Sequence, residues 1–215
     1  MGLMKAEINI DAILRLLKPE SSNQLIKRSL RVFKVSKKNR KKIVCLYIVS
    51  VFVAVFVGFS EDTISIACDT TQTMIDIMLG IFGIVFTGYT FFQALMNKQL
   101  LVRMLSNNSE DDEDKSKSKL QETNESFVEY MMLNLISIIV SLLLKIILSS
   151  IPAEFVVFSK MLTNNIIATL LISLYFYFIL TIIWEVKSFI FNVFQVFNMH
   201  AGTRVLELFD DDKDE

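Results

Sequence analysis

The sequence predicts an all-α integral membrane protein with four transmembrane helices and with cytoplasmic amphipathic helices at its N- and C-terminal ends. The composition is 53% hydrophobic, with 18 Phe and only two Pro. The mean hydropathy of +0.48 is too high for an ordinary soluble domain. The apolar residues are grouped into four long runs. Because backbone amides in lipid must hydrogen-bond within their own segment, such runs indicate helices rather than open strands.

The four runs cover residues 43–60, 77–97, 130–153 and 161–184. Each is close to the roughly 20 residues that a helix needs to cross about 30 Å of hydrocarbon. The second run begins directly after Asp76, and Cys68 falls in the loop before it. The chain is therefore divided into a basic amphipathic arm (1–42), a transmembrane hairpin (43–104), a disordered cytoplasmic loop (105–126), a second hairpin whose last helix extends into the cytoplasm (127–198), and an acidic tail (199–215).

The basic residues predict the orientation. Of the 22 Lys and Arg residues, twelve lie in the N-terminal arm, five in the central loop and three near the C-terminal end. The loops that follow spans one and three contain only Lys160. By the positive-inside rule, we expect both termini and the central loop to be cytoplasmic. The net charge of -1 gives no reason to expect a nucleic-acid binder.

Two segments of the N-terminal arm are amphipathic. In the first, Ile10, Ile13, Leu14 and Leu17 recur at helical spacing, and in the second, residues 25–33, Ile26, Leu30 and Phe33 face one way. Three interpretations remain open for these helices: they lie on the anionic inner leaflet, pack on the cytoplasmic helices of their own chain, or dock a partner.

A polar strip carries the functional argument. Nine polar residues in and after the fourth run recur every three or four positions, which places them on one face of a helix. These candidate pore-lining residues are Asn165, Thr169, Ser173, Tyr177, Thr181, Glu185, Ser188, Asn192 and Gln195. The third run has a second strip of the same kind, made of Tyr130, Asn134, Ser137, Ser141, Lys145 and Ser149.

Spans one and two carry small residues instead. Small side chains at four-residue spacing allow close packing between transmembrane helices. They are Ser50, Ala54 and Gly58 in the first span, and Gly83 and Thr87, with Gly80 three residues before, in the second.

Two interpretations of the polar strips compete. Both strips are hydrogen-bonded seams inside a sealed bundle, with Lys145 snorkelling outward, or the strip of span four lines a water-filled path. Four helices from one chain pack too closely to leave a lumen, so a path requires several copies around an axis. The prediction is a homo-oligomeric gated ion channel in which the fourth helices line the path. The alternative is a non-conducting membrane anchor or sensor that recruits a cytoplasmic partner protein.

The sequence offers no constellation typical of an enzyme. His200 is the only histidine, and there is no nucleophile–base pair and no phosphate-binding glycine loop. The acidic run at 110–114 lacks the glycine and the distal glutamate of a calcium loop. We therefore expect neither catalysis nor a bound metal or cofactor.

The layout of a basic arm, four spans and a polar final span that runs into an amphipathic end resembles the small multi-pass membrane components of bacterial antiphage systems. The Hailong-type membrane effector and the Kiwa-type membrane subunit are examples. The resemblance is architectural, so it assigns no residues. It implies a bacterial inner-membrane protein, either a channel that damages the membrane on a cytoplasmic signal or a sensor. It also implies a cytoplasmic regulatory protein or ligand as the trigger.

Overall fold

The structure is a computed structural model that describes residues 14, 21–34, 39–106, 118–152 and 155–211, with side chains as far as residue 205. The described residues form six α-helices, and a 3-10 turn, Leu30–Phe33, follows the first of them. The helices are α1 (Ser22–Ser29), α2 (Arg40–Gly58), α3 (Thr63–Leu95), α4 (Lys98–Ser106), α5 (Lys119–Ser150) and α6 (Met161–Asp211). The middle of the central loop and, apart from Leu14, the first amphipathic segment of the arm lie outside the described residues.

Four of the helices, α2, α3, α5 and α6, are long and apolar enough to cross a membrane. This confirms the predicted class, an all-α protein with four candidate spans. Three of these helices, α3, α5 and α6, are much longer than the apolar runs that predicted them, because a helix can continue past the hydrocarbon through polar residues that favour it. At the start of α5, for example, the Ser118 hydroxyl accepts a hydrogen bond of 3.2 Å from the Gln121 amide, which caps the helix.

Because α3 and α5 begin earlier than their apolar runs, two assignments made from the sequence change. Helix α3 begins at Thr63, so Cys68 lies inside this helix and the loop assignment was wrong. Helix α5 begins at Lys119, so the last residues of the loop that was expected to be disordered are helical. An uncharged run marks where a helix meets hydrocarbon, but it does not mark where the helix begins.

Two long pairings build the bundle: α2 packs along α6, and α3 packs along α5. Helices α5 and α6 join the two pairs. We call the end at which Lys42 of α2 meets Glu185 of α6 the basic end. The other end, where Gly58 meets Thr169 and where residues 59–62, 151–152 and 155–160 lie, is the hairpin end.

The second segment of the arm packs on the chain's own helices. Arg28 of α1 forms ion pairs with two glutamates of α5, 3.3 Å to Glu125 and 2.5 Å to Glu129. The ring of Phe33 stacks on Phe178 of α6 with centroids 5.4 Å apart. Three interpretations were left open for the amphipathic arm. For residues 22–33, the structure shows the second of them, packing on the helices of their own chain.

Helix α6 is the longest element, with 51 residues. At 1.5 Å per residue it is about 76 Å long, and the part beyond Glu185 extends about 39 Å past the ion pair with Lys42. The last helix therefore projects well beyond the other spans at the basic end.

Candidate functional site

The polar strip of α6 lies against α2 of the same chain. Glu185 pairs with Lys42 at the basic end. The rings of Tyr177 and Tyr47 meet edge to face with centroids 6.1 Å apart. At the hairpin end Thr169 lies so close to Gly58 that a Cβ on the glycine would be 2.9 Å from the Thr169 amide nitrogen.

The buried hydroxyls of the strip are satisfied by their own helix. Ser173 and Thr181 are each 1% exposed. Ser173 donates to the carbonyl of Leu170 at 2.8 Å, and Thr181 donates to that of Tyr177 at 2.7 Å. The hydroxyl oxygen of Thr169 is buried and has no hydrogen-bond partner among the described residues. The other members, Asn165, Ser188, Asn192 and Gln195, are half-buried. In the single chain, the membrane part of the strip has the geometry of an interhelical seam.

The second strip faces α3 and α6. Asn134, Ser137 and Ser141 are buried. The hydroxyl of Tyr175 donates to that of Ser141 at 2.9 Å, which links α6 to α5. Ser149 lies 3.4 Å from the sulfur of Cys68 on α3. Lys145, which only the sealed-bundle interpretation turned outward, donates from Nζ to Oε1 of Gln72 on α3.

A third polar line runs along α3, and none of the described helices covers it. Its residues follow one another at spacings of four and three, a heptad pattern that keeps them on one face. All seven are exposed: Asp69, Thr73, Asp76, Gly80, Gly83, Thr87 and Thr90. We call this line the α3 stripe. A Cβ added at Gly80 or Gly83 would meet nothing within 4 Å.

The α3 stripe points directly away from the bundle. The buried residues of α3, among them Ala67, Met78 and Val85, lie on the opposite face of the helix. Exposed apolar side chains flank the stripe, with Ile77, Ile84 and Phe91 on one side and Leu79 and Phe86 on the other. The residues of the α3 stripe are thus small or acidic, whereas the exposed apolar side chains on both flanks of the stripe are suited to contact with lipid.

Asp76 lies near the middle of the membrane-spanning part. Lys42 and Gly58 on α2 are about 24 Å apart along the helix, close to the thickness of the hydrocarbon. Met78 of α3 packs in a cluster with Ile179 and Ile182 of α6. Asp76, two residues before Met78, is therefore near the height of Tyr177, which lies midway between Thr169 and Glu185.

Gln72 bridges Asp76 to a cation. Its Nε2 donates to Oδ1 of Asp76 at 2.9 Å, while its Oε1 accepts from Lys145. The carboxylate is held by one amide, and its remaining surface is exposed. An ionised side chain at this depth costs about 2.5–3.5 kcal/mol on insertion scales unless water or protein meets it.

The spacing of the α3 stripe is present in the sequence, but its two aspartates do not fit the uncharged run that predicts a span. Asp76 borders the uncharged run, so hydropathy predicts a second span that begins at 77. Within that span, Gly80, Gly83 and Thr87 are the small residues suited to packing. The alternation of four and three from 69 to 90 would have identified the complete line.

Comparison of the chain with protein-family models, with curated proteins and with solved structures finds no match in any of the three. Within the described residues, no three His, Cys, Asp or Glu side chains are grouped so that they could hold a metal ion.

Proposed function

We propose that the protein is a homo-oligomeric cation channel in which α3 of each copy faces a common axis. The observation that carries the proposal is the exposed carboxylate of Asp76 on the outward face of α3, at mid-membrane height. In a single chain that carboxylate faces lipid, which is costly. Around an axis it faces water and the copies that surround it.

The α3 stripe suits such an axis. Gly80 and Gly83 leave room for close approach between helices toward the basic end. Thr73, Thr87 and Thr90 donate their hydroxyls to their own helix carbonyls, so their oxygens remain available to accept from water. Asp69 and Asp76 supply rings of negative charge that attract cations and repel anions. The path is therefore assigned to α3 rather than to α6, whose strip meets α2.

Reversal potentials across a planar bilayer under a salt gradient test this proposal. Asp76→Asn should abolish or strongly reduce the preference for cations, because it removes the ring of charge at the middle of the path. Asp62→Asn is the matched control, since Asp62 is an exposed acid in the connection before α3. Unchanged selectivity in Asp76→Asn, or no conductance in the unaltered protein, would overturn the proposal.

The proposed orientation has the basic end in the cytoplasm, in a bacterial inner membrane. It rests on the concentration of basic residues in the arm, the central loop and the C-terminal end. With Cys45 and Cys68 replaced by Ser, a cysteine at Glu61 should react with a membrane-impermeant thiol reagent in intact cells. A cysteine at Ser116 should react only after permeabilisation. The reverse pattern would overturn the orientation.

As part of the same proposal, we infer that the protein acts in bacterial defence against phage. A channel that is closed until a cytoplasmic protein or ligand signals infection would kill the infected cell by dissipating ion gradients. Plating efficiency of phage on cells that express the protein tests this role with Asp76→Asn as the inactive variant and Asp62→Asn as its control. Equal plating efficiency of phage on all strains would contradict a role in defence.

One observation favours the alternative, a membrane sensor that recruits a cytoplasmic partner. An open apolar cleft of about 530 Å³ lies between α3, α5 and α6 beyond the Lys42–Glu185 pair. Six phenylalanines line it: Phe91, Phe92, Phe127, Phe189, Phe194 and Phe197. Under this alternative the unaltered protein conducts no ions, Phe194→Ser should abolish the cellular phenotype, and Asp76→Asn should leave that phenotype intact.

A further inference from the structure

The outward side of α1 and of the turn after it carries positive charge without any acid. Lys27, Arg31 and Lys34 are exposed and lie four and three positions apart, so they share one side of the segment. Arg40 and Lys41, at the start of α2, are exposed as well. None of these five cations has an ion pair among the described residues. The sequence from residue 21 to residue 60 contains no Asp and no Glu.

The inward side of the same segment is fixed to the bundle. The Arg28 guanidinium reaches both Glu125 and Glu129 on α5, and the three side chains are largely buried. Ser29 is buried, and Phe33 stacks on Phe178. These contacts set the rotation of the segment, so Lys27, Arg31 and Lys34 must face away from the protein.

Four of these cations lie at the height of the bilayer surface. Lys27 and Arg31 flank Arg28, whose partners Glu125 and Glu129 precede the apolar run of α5. Arg40 and Lys41 immediately precede Lys42, which pairs with Glu185 near the end of the hydrocarbon. Lys34 follows Phe33, which stacks on Phe178 about two helical turns deeper, so Lys34 is not part of this surface.

We propose that this face, made of Lys27, Arg31, Arg40 and Lys41, is a binding surface for anionic phospholipid. A phosphate diester head group supplies the negative charge that the face lacks. The bilayer also holds that charge within a Debye length of about 8 Å, where it is weakly screened. Each Lys or Arg near an anionic surface strengthens the association about fivefold. The proposal concerns the lipid contact alone and is independent of the ion path.

Native mass spectrometry of the detergent-solubilised full chain tests this surface directly. Dioleoyl phosphatidylglycerol is titrated into the protein, with dioleoyl phosphatidylcholine as the neutral reference. The double variant Lys27→Gln/Arg31→Gln should lower the association constant for phosphatidylglycerol by up to about 25-fold, from about fivefold per cation, and leave that for phosphatidylcholine unchanged. Inorganic phosphate at the same concentration should not displace the lipid.

The matched control is Lys98→Gln/Arg103→Gln, which removes one exposed Lys and one exposed Arg from α4. Binding of phosphatidylglycerol should stay within about twofold of the unaltered protein in this control, because α4 lies outside the proposed surface. Equal loss in both double variants would show a general effect of charge and overturn the proposal. No preference for phosphatidylglycerol over phosphatidylcholine, or displacement by free phosphate, would also overturn it.

Discussion

Lys42 of α2 and Glu185 of α6, 143 positions apart in the sequence, form an ion pair at the basic end of the bundle. Each side chain is only 16% exposed. The pair gives a partner within the chain to Glu185, which the sequence suggested as one of the pore-lining residues. It also closes one end of the contact between α2 and α6, whose other end is the contact of Gly58 with Thr169.

The first prediction concerns the stability of this pair. Lys42→Met should lower the free energy of unfolding by about 1–3 kcal/mol, because it leaves the Glu185 carboxylate partly buried without its cation. Glu185→Gln should cost a similar amount. The double variant Lys42→Met/Glu185→Leu should cost less than the sum of the single changes. Thermal unfolding in detergent gives the comparison, and additive losses would show that the two side chains do not interact.

The variant Glu185→Gln also tests whether the ion path is lined by α3 or by α6. If α3 lines the path, Glu185→Gln should leave cation selectivity unchanged, since the carboxylate is turned toward α2. A loss of selectivity in Glu185→Gln equal to that in Asp76→Asn would return the path to α6. Conductance of both variants in the same planar bilayer provides the measurement.

The second prediction concerns assembly through the α3 stripe. Gly83→Leu should reduce the oligomer on size-exclusion chromatography and leave the Tm of the single chain nearly unchanged. The reason is that the added side chain meets open space within the chain but blocks the approach of a second α3. Leu79→Phe, on the exposed flank of the same helix, is the control and should leave assembly intact. Persistence of the oligomer in Gly83→Leu would exclude the stripe as the contact.

Part of this architecture could be predicted from the sequence. The four spans followed from the apolar runs, because the cost of placing polar groups in lipid is set by composition and length. The shared face of Asn165 to Gln195 followed from spacing alone. What that face meets could not be predicted, since periodicity gives the direction of side chains around their own helix but not the neighbour. The pairing of Glu185 with Lys42 depends on how α2 packs on α6.

The depth of Asp76 in the membrane also could not be predicted from the sequence. In the sequence its charge indicated the edge of a span, and hydropathy places a charge outside the lipid by default. Its depth depends instead on the contacts of Met78 with α6 and of Gln72 with Lys145. A charge retained inside the membrane is typical of a functional position.

The third prediction tests the close contact of α2 with α6. Gly58→Ala should lower the free energy of unfolding by about 1–3 kcal/mol, because the new Cβ would press on the backbone of Thr169, which cannot move aside as a flexible side chain can. Gly202→Ala is the control, since a Cβ there meets nothing within 4 Å and alanine favours the helix by up to about 1 kcal/mol. Equal stability of the two variants would show that α2 and α6 are not in this contact.

The last prediction concerns the attachment of the arm to α5. Arg28→Gln removes the cation shared by Glu125 and Glu129 and leaves the two acids facing each other one helical turn apart. The arm should then detach more often, so limited trypsin digestion at Lys27 and Arg31 should become faster than in the unaltered protein. Lys27→Gln is the control for charge, because Lys27 is exposed and its loss leaves the contacts of Arg28 in place. Cleavage at Arg31 should therefore be as slow in Lys27→Gln as in the unaltered protein. A second variant, Glu129→Gln, keeps one of the two carboxylates and should show an intermediate rate. If Arg28→Gln were cleaved at Arg31 no faster than Lys27→Gln, the stacking of Phe33 on Phe178 would be sufficient to hold the arm, and Phe33→Ala should then release it.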